Sequence, residues 1–264
     1  MITFETIKNR RSVRTFNGTP LSTEDRTKIL SFVDKIENPY GIPVSFRIVG
    51  SGKEGTSSAV IVGEDSYLIG KIKEDKHAAE AYGFSFEYAL LFAESIGVGG
   101  VWLAGTFDKA SAKRAAEVTD GELLPAVSPL GYKTDKMSMR ESIMRKGVKS
   151  DSRIPNEKLF FGADLSPLNV RSLGELSEAF EAVRLAPSAA NRQPWRIIFD
   201  GDAAHFYKAA SRNMSGVDIH KVDMGIALCH FDAVLNEAGI SHRFSLNDPG
   251  IDFDGEYIAS YLLN

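Results

Sequence analysis

Pro187 divides the second half of this chain into a helix, a loop and a strand. Before it, Leu173, Leu176, Phe180, Val183 and Leu185 recur near a helical repeat. A proline cannot continue that helix, and it also restricts Ala186 ahead of it. After it, Ser188, Ala189, Asn191 and Gln193 crowd small side chains and amides together, and Trp195-Arg196-Ile197-Ile198-Phe199 reads as a strand closed by the turn signal Asp200-Gly201. Residues 187–195 are therefore expected to form a loop of low bulk and high hydrogen-bonding capacity, suited to receive a flat ligand.

The rest of the chain alternates helices and strands. A helix over residues 3–9 leads into an arginine-rich segment, and Ser22 or Thr23, followed by Glu24 and Asp25, opens a second helix to about residue 35. Strands are expected at residues 45–49 and 59–63. Residues 82–96 form a strongly apolar helix ended by Gly97, with Tyr82, Phe84 and Tyr88 as core rather than as the roof of a pocket. A helix over residues 106–118 and a strand over 123–131 follow. Residues 133–168 read as a polar, basic crossover, placing a boundary between residues 1–150 and 151–264.

Composition removes several function classes. The 264 residues carry 31 Lys+Arg against 35 Asp+Glu, a net charge of −4, so no global attraction to nucleic acid exists. The local basic run from Lys133 through Lys136, Arg140, Arg145, Lys146 and Lys149 to Arg153 reads first as a solvated face. No apolar stretch is long enough to span a membrane, and the N-terminus lacks a signal core, so a cytoplasmic protein is expected. The single Cys229 excludes an internal disulfide and lies in an apolar run, as a small core residue does. The five histidines show no metal-ligand spacing, so no metal is expected. His220 and Asp223 read as a charge pair at a helix start, and Gly97-Val98-Gly99-Gly100 follows a helix rather than a strand, unlike a dinucleotide fingerprint.

Pro187-Ser188-Ala189-Ala190-Asn191-Arg192-Gln193-Pro194-Trp195 resembles the PS-x-x-N-x-QPW segment of the nitroreductase-like FMN-dependent flavoproteins, and Arg10-Arg11-Ser12-Val13-Arg14 resembles their N-terminal RRS-x-R segment. In ordinary members both lie in the first part of one chain, and each flavin site takes one segment from each of two subunits. Their separation here resembles a branch in which two halves are fused. Phe46-Arg47-Ile48-Val49 matches Trp195-Arg196-Ile197-Ile198, residues 93–97 match 235–239, and residues 120–123 match 254–257, in the same order. The first half keeps the arginine segment but has Asn38-Pro39-Tyr40-Gly41-Ile42-Pro43 in place of the receiving loop, which leaves one complete site. The resemblance implies an α+β, nitroreductase-like fold with a central, mostly antiparallel sheet flanked by helices, internally duplicated into a pseudo-dimer that is a monomer in solution.

The same resemblance implies the site. Arg10 and Ser12 would hold the flavin phosphate, which favours paired cations, while Arg14 would sit near the N1 and O2 edge, where charge gathers on reduction. Pro187, Ser188, Ala189 and Asn191 would line the ring and ribityl chain, with Gln193 a weaker candidate and Trp195 core. Leu103-Ala104-Gly105 would face N5 through its backbone, where a glycine permits close approach. Arg153 in Arg153-Ile154-Pro155 would give the phosphate a second cation. Relatives often carry another base two positions earlier, where this chain has Asp151, so Lys149 would substitute.

FMN with NADH or NADPH as reductant, and a nitroaromatic, quinone or similar small aromatic acceptor, is the expected chemistry, with no nucleic-acid partner. No catalytic dyad is required if the protein only binds, orients and tunes the flavin. The alternative is a flavin-binding or flavin-storing protein without efficient turnover. Nucleic-acid binding through the run from Lys133 to Arg153 ranks last.

Overall fold

Short polar side chains open the first helices. In the computed structural model, which describes residues 2–52, 55–134, 152–210 and 217–263, Thr3 accepts from the Thr6 amide at the head of α1 (Phe4–Asn9). Ser22 does the same for Asp25 at α2 (Thr23–Val33), each satisfying an amide that the helix cannot pair internally. Strands β1 (Val44–Gly50) and β2 (Ser66–Lys73) pair antiparallel, then α3 (Ala78–Ser95) leads to β3 (Val98–Gly100). After α4 (Lys109–Ala115) come β4 (Glu122–Leu123) and β5 (Val127–Tyr132). The first sheet has the order β1-β2-β5-β3, all antiparallel, with β4 also on β2.

The second half repeats that plan. It comprises β6 (Phe160–Gly162), α5 (Leu176–Leu185), β7 (Trp195–Phe199), β8 (Ala203–Lys208), α6 (Ile219–Ala238), β9 (His242–Ser245) and β10 (Glu256–Leu263). Its sheet runs β6-β7-β8-β10-β9, so β7-β8-β10-β9 follows the order of β1-β2-β5-β3, and only β6–β7 is parallel. Both long helices end on a left-handed glycine, Gly97 (φ 84°) after α3 and Gly239 (φ 67°) after α6. Glu122 lies opposite Lys73 at the end of β2, and Glu256 lies opposite Lys208 at the end of β8. The architecture is thus α+β with two mostly antiparallel sheets and helices packed against them.

α3 and α6 cross at the centre, where two glycines bring the backbones together. A Cβ on Gly83 would lie 2.0 Å from the Val222 carbonyl oxygen, and one on Gly225 would lie 2.0 Å from that of Glu80. Each glycine stands fourteen residues before the glycine that closes its helix. Around this crossing, Phe84, Leu91, Met224, Leu228 and Cys229 are buried with Trp195, Phe180 and Phe206. Ile2 and Ile7 of the N-terminal segment join the same cluster, so α1 lies on the second half rather than on its own sheet.

Some expected elements shift. Residues 59–63 form a turn with one bridge, Thr15 to Val62, and Gly63 (φ 79°) packs too close to the Phe16 carbonyl to carry a side chain. The strand lies instead at β2, whose lysines and internal glycine obscure its buried, nearly unbroken apolar face. The strand expected at 123–131 is split into β4 and β5, with Pro125 between them. Asp108 caps α4 two residues beyond the expected start. Lys136, Arg140, Arg145, Lys146, Lys149 and Asp151 lie outside the described residues. Among the described residues no helix is long and apolar enough to cross a membrane, and no three metal-ligating side chains converge.

His242 fastens the start of β9 to α6. Its Nδ1 faces the Ile240 carbonyl at 2.8 Å and its Nε2 the Asp232 carboxylate at 3.2 Å. The bond to Asp232 outweighs partial burial and raises the imidazole above its ordinary value. The folded state therefore binds this proton more tightly than the unfolded chain does. Its contribution is complete below the unfolded value of about 6.5 and is lost as pH rises through the raised folded value. Thermal melts from about pH 6 to about pH 8.5 should show a smaller loss of Tm in Asp232→Asn than in the parent chain. Parallel curves would remove His242 from the pH dependence.

Candidate active site

The loop after α5 is held in an uncommon backbone conformation. Ala190 (φ 49°), Asn191 (φ 54°) and Gln193 (φ 49°) all occupy the left-handed region without being glycine. Such positions cost about 1–3 kcal/mol each and persist where neighbours over-determine them. Here the neighbours are specific. The Gln193 amide donates to Ser188 Oγ at 2.8 Å, the Ala189 amide donates to Asp223 Oδ1 at 2.9 Å, and Asn191 Nδ2 donates to the Ser152 carbonyl at 3.0 Å.

Gln193 is the pin of this arrangement rather than part of a ligand wall. Its side chain is buried, Oε1 accepts from the Ile154 amide at 2.8 Å, and Nε2 donates to Asn191 Oδ1 at 3.2 Å. It thereby clamps Arg153-Ile154-Pro155 against the loop. Arg153 donates to the carbonyls of Ser152 and Leu185, which ties the same segment to the end of α5. Trp195 is fully buried and belongs to the core.

Beside the loop opens a cavity of about 490 Å³, within the usual span of small-molecule sites, roughly 300–1,000 Å³. All eleven residues singled out in the sequence line it. Arg10, Ser12 and Arg14 come from the segment after α1, Leu103, Ala104 and Gly105 from the turn after β3, Arg153 from the crossover, and Pro187, Ser188, Ala189 and Asn191 from the loop. The arginine segment reaches this place because Val13 donates its amide to the Gly100 carbonyl at 3.1 Å, laying it alongside β3. A Cβ built on Gly105 would meet no atom within 4 Å, so the space beside that backbone is open.

Sequence reasoning did not place α6 at this site. Ile219, Val222 and Ile226 form an apolar wall, and among the described residues Asp223 is the single carboxylate of the lining, against Lys8, Arg10, Arg11, Arg14 and Arg153. Asp223 is 2% exposed and its Oδ2 meets His220 Nδ1 at 3.0 Å. Burial raises the Asp223 carboxyl despite the hydrogen bonds from His220 and Ala189. The bond to Asp223 in turn raises the His220 imidazole against the effect of burial. The i, i+3 spacing had marked the pair, but only the tertiary fold turns it toward a cavity.

Behind the opposite wall lies a buried carboxylate, Glu87 of α3. Its Oε2 accepts from Trp102 Nε1 at 2.6 Å, and its Oε1 lies 2.9 Å from His230 Nε2 and 3.5 Å from Arg10 Nε. His230 is anchored by Nδ1 on the Ala182 carbonyl at 2.8 Å. Burial pushes the Glu87 carboxyl up, but the charge of Arg10 and the bonds from His230 and Trp102 prevail and leave it lowered. Arg10 and Trp102 both line the cavity, so Glu87 fixes two of its side chains at once.

This lining can hold an extended, anionic, flat molecule. Clustered arginines suit a phosphate, for which guanidinium groups offer bidentate donors. Loop carbonyls and the amide of Asn191 suit a polyol, and the apolar α6 wall suits a ring. The same cations explain why the cavity would discriminate against cationic ligands.

The family model described as "Putative TM nitroreductase" matches residues 2–234. Among solved structures, one described as a putative nitroreductase of Thermotoga maritima is 22% identical, with a TM-score of 0.62, covering 100% of this chain and 93% of that one. A nitroreductase family protein of Clostridium difficile 630 is 15% identical with a TM-score of 0.46, covering 60% of this chain and 96% of its own. An FMN-dependent nitroreductase of Clostridium difficile R20291 is 16% identical with a TM-score of 0.42, covering 52% of this chain and 90% of its own. None of the curated proteins matches the chain.

Proposed function

Because the chain belongs to the TM nitroreductase family, we propose that it is an FMN-dependent oxidoreductase that carries hydride from NADH or NADPH to a flat acceptor such as a quinone or nitroaromatic. The observation that carries this reading is the convergence of the arginine segment and the loop after α5, 173 residues apart between Ser12 and Leu185, on one cavity. The residues fit the cofactor. Open space beside Gly105, five cations and a low-bulk loop are what a ring bearing a phosphate tail requires.

In this reading Arg10, Ser12 and Arg153 hold the phosphate. Arg14 lies at the ring edge that gains charge, and the backbone at residues 103–105 approaches the edge that takes hydride. Pro187, Ser188, Ala189 and Asn191 support the ring and ribityl chain. Ile219, Val222 and Ile226 shield that face from water, which strengthens every charge–dipole contact within. Bound FMN supplies the two-electron carrier, and the protein supplies position and field. The two halves, residues 1–150 and 151–264, build one site together, so a single chain suffices.

Anaerobic visible spectra of FMN-loaded protein test the reading. The flavin bands should bleach on adding NADPH or NADH and return on adding a quinone. Bands that persist with both reductants would leave a flavin-storing protein instead.

A further inference from the structure

Asp223 and His220 carry a second consequence for this cavity. Asp223 is the lone acid of the described lining and is sealed from solvent, whereas the His220 side chain one turn earlier is 16% exposed. The two are joined directly, Nδ1 to Oδ2 at 3.0 Å. The Ala189 amide on Oδ1 fixes the carboxyl so that it cannot swing away. The pair therefore runs from the protein surface to the cavity wall. Other charges facing it are Asp218 at the head of α6 and Lys208 of β8, which is itself bound to Asp218 and Glu256.

We propose that Asp223 is the general acid of the acceptor half-reaction and that His220 recharges it from solvent, a proposal that rests on the flavin oxidoreductase reading. A quinone that receives a hydride becomes an anion with its charge on oxygen. One further O–H bond completes the hydroquinone. In the relay the Asp223 O–H bond breaks as that bond forms, the resulting carboxylate draws a proton from bulk water onto the His220 imidazole, and the Nδ1 proton then passes to the carboxylate, leaving His220 neutral. The acceptor gains two electrons and two hydrogens, and the protein ends unchanged. Burial raises the Asp223 carboxyl, which favours its protonated form, and the Asp223 carboxylate left by the transfer raises His220, which favours uptake of the replacement proton.

The test compares acceptors that differ only in their need for a proton. Chemically reduced holoprotein is mixed anaerobically with 2-methyl-1,4-naphthoquinone, or with ferricyanide, which takes electrons alone. In Asp223→Asn and His220→Gln the ratio of quinone to ferricyanide reoxidation rates should fall, on the order of 10²-fold for Asp223→Asn. Asn retains an oxygen for the Ala189 amide, and His220→Gln leaves that bond untouched, so one variant remains informative if the other folds poorly. In cofactor-free protein, the His220 ring should titrate above the ordinary histidine value by NMR and fall toward it in Asp223→Asn. Unchanged rate ratios in variants that bind and reduce FMN would overturn the relay alone. A parent chain that takes up no FMN would overturn the flavin reading as well.

Discussion

Gly225→Ala should destabilise the protein by about 3 kcal/mol or more, lowering Tm by roughly 6–12 °C. Helix propensity alone predicts the opposite sign, since alanine in a helix interior is favoured over glycine by about 1 kcal/mol. The contact geometry decides between them. The new Cβ would lie 2.0 Å from the Glu80 carbonyl oxygen and 2.8 Å from the Phe84 amide nitrogen, both backbone atoms of α3. No rotamer change relieves such a contact, so the helices must separate and the side chains packed along the crossing lose their fit. Gly83→Ala should behave alike, its Cβ meeting Val222. A variant with Tm equal to or above that of the parent would show that the crossing is looser than described.

Glu87→Ala should cost about 3–5 kcal/mol, the range for removing one partner of a buried ion pair. The substitution leaves the Arg10 guanidinium buried without its carboxylate, deprives Trp102 Nε1 of its acceptor and removes the hydrogen-bond partner of His230 Nε2. Because Arg10 and Trp102 form cavity wall, ligand affinity should fall together with stability. Glu87→Gln keeps an acceptor and the volume while losing the charge, so chemical denaturation should place it between the parent and the alanine variant. Equal stability of all three proteins would mean that the hub contributes nothing net.

Local signals in the sequence were strong where one residue type dictates backbone. Pro187 ended α5, Asp200-Gly201 closed β7, and Gly97 and Gly239 ended the two long helices at equivalent places. Two motifs far apart in the chain, singled out by their resemblance to nitroreductase segments, both line the cavity. What the sequence hid depends on tertiary contact. β2 is buried on nearly every residue, so it lacks the alternation that marks a half-exposed strand. Gly83 and Gly225 look like weak spots in a helix until the partner backbone is placed against them. Glu87 offered the one available hint, since a carboxylate within an apolar helix requires a partner, but nothing local names Arg10, Trp102 or His230.

Titration of the cofactor-free chain with FMN, followed by quenching of flavin fluorescence, tests the central claim most directly. The account predicts saturation at one FMN per 28.9 kDa chain, with Arg14→Ala binding more weakly at the same stoichiometry. Absence of binding, or two equivalent sites per chain, would contradict it.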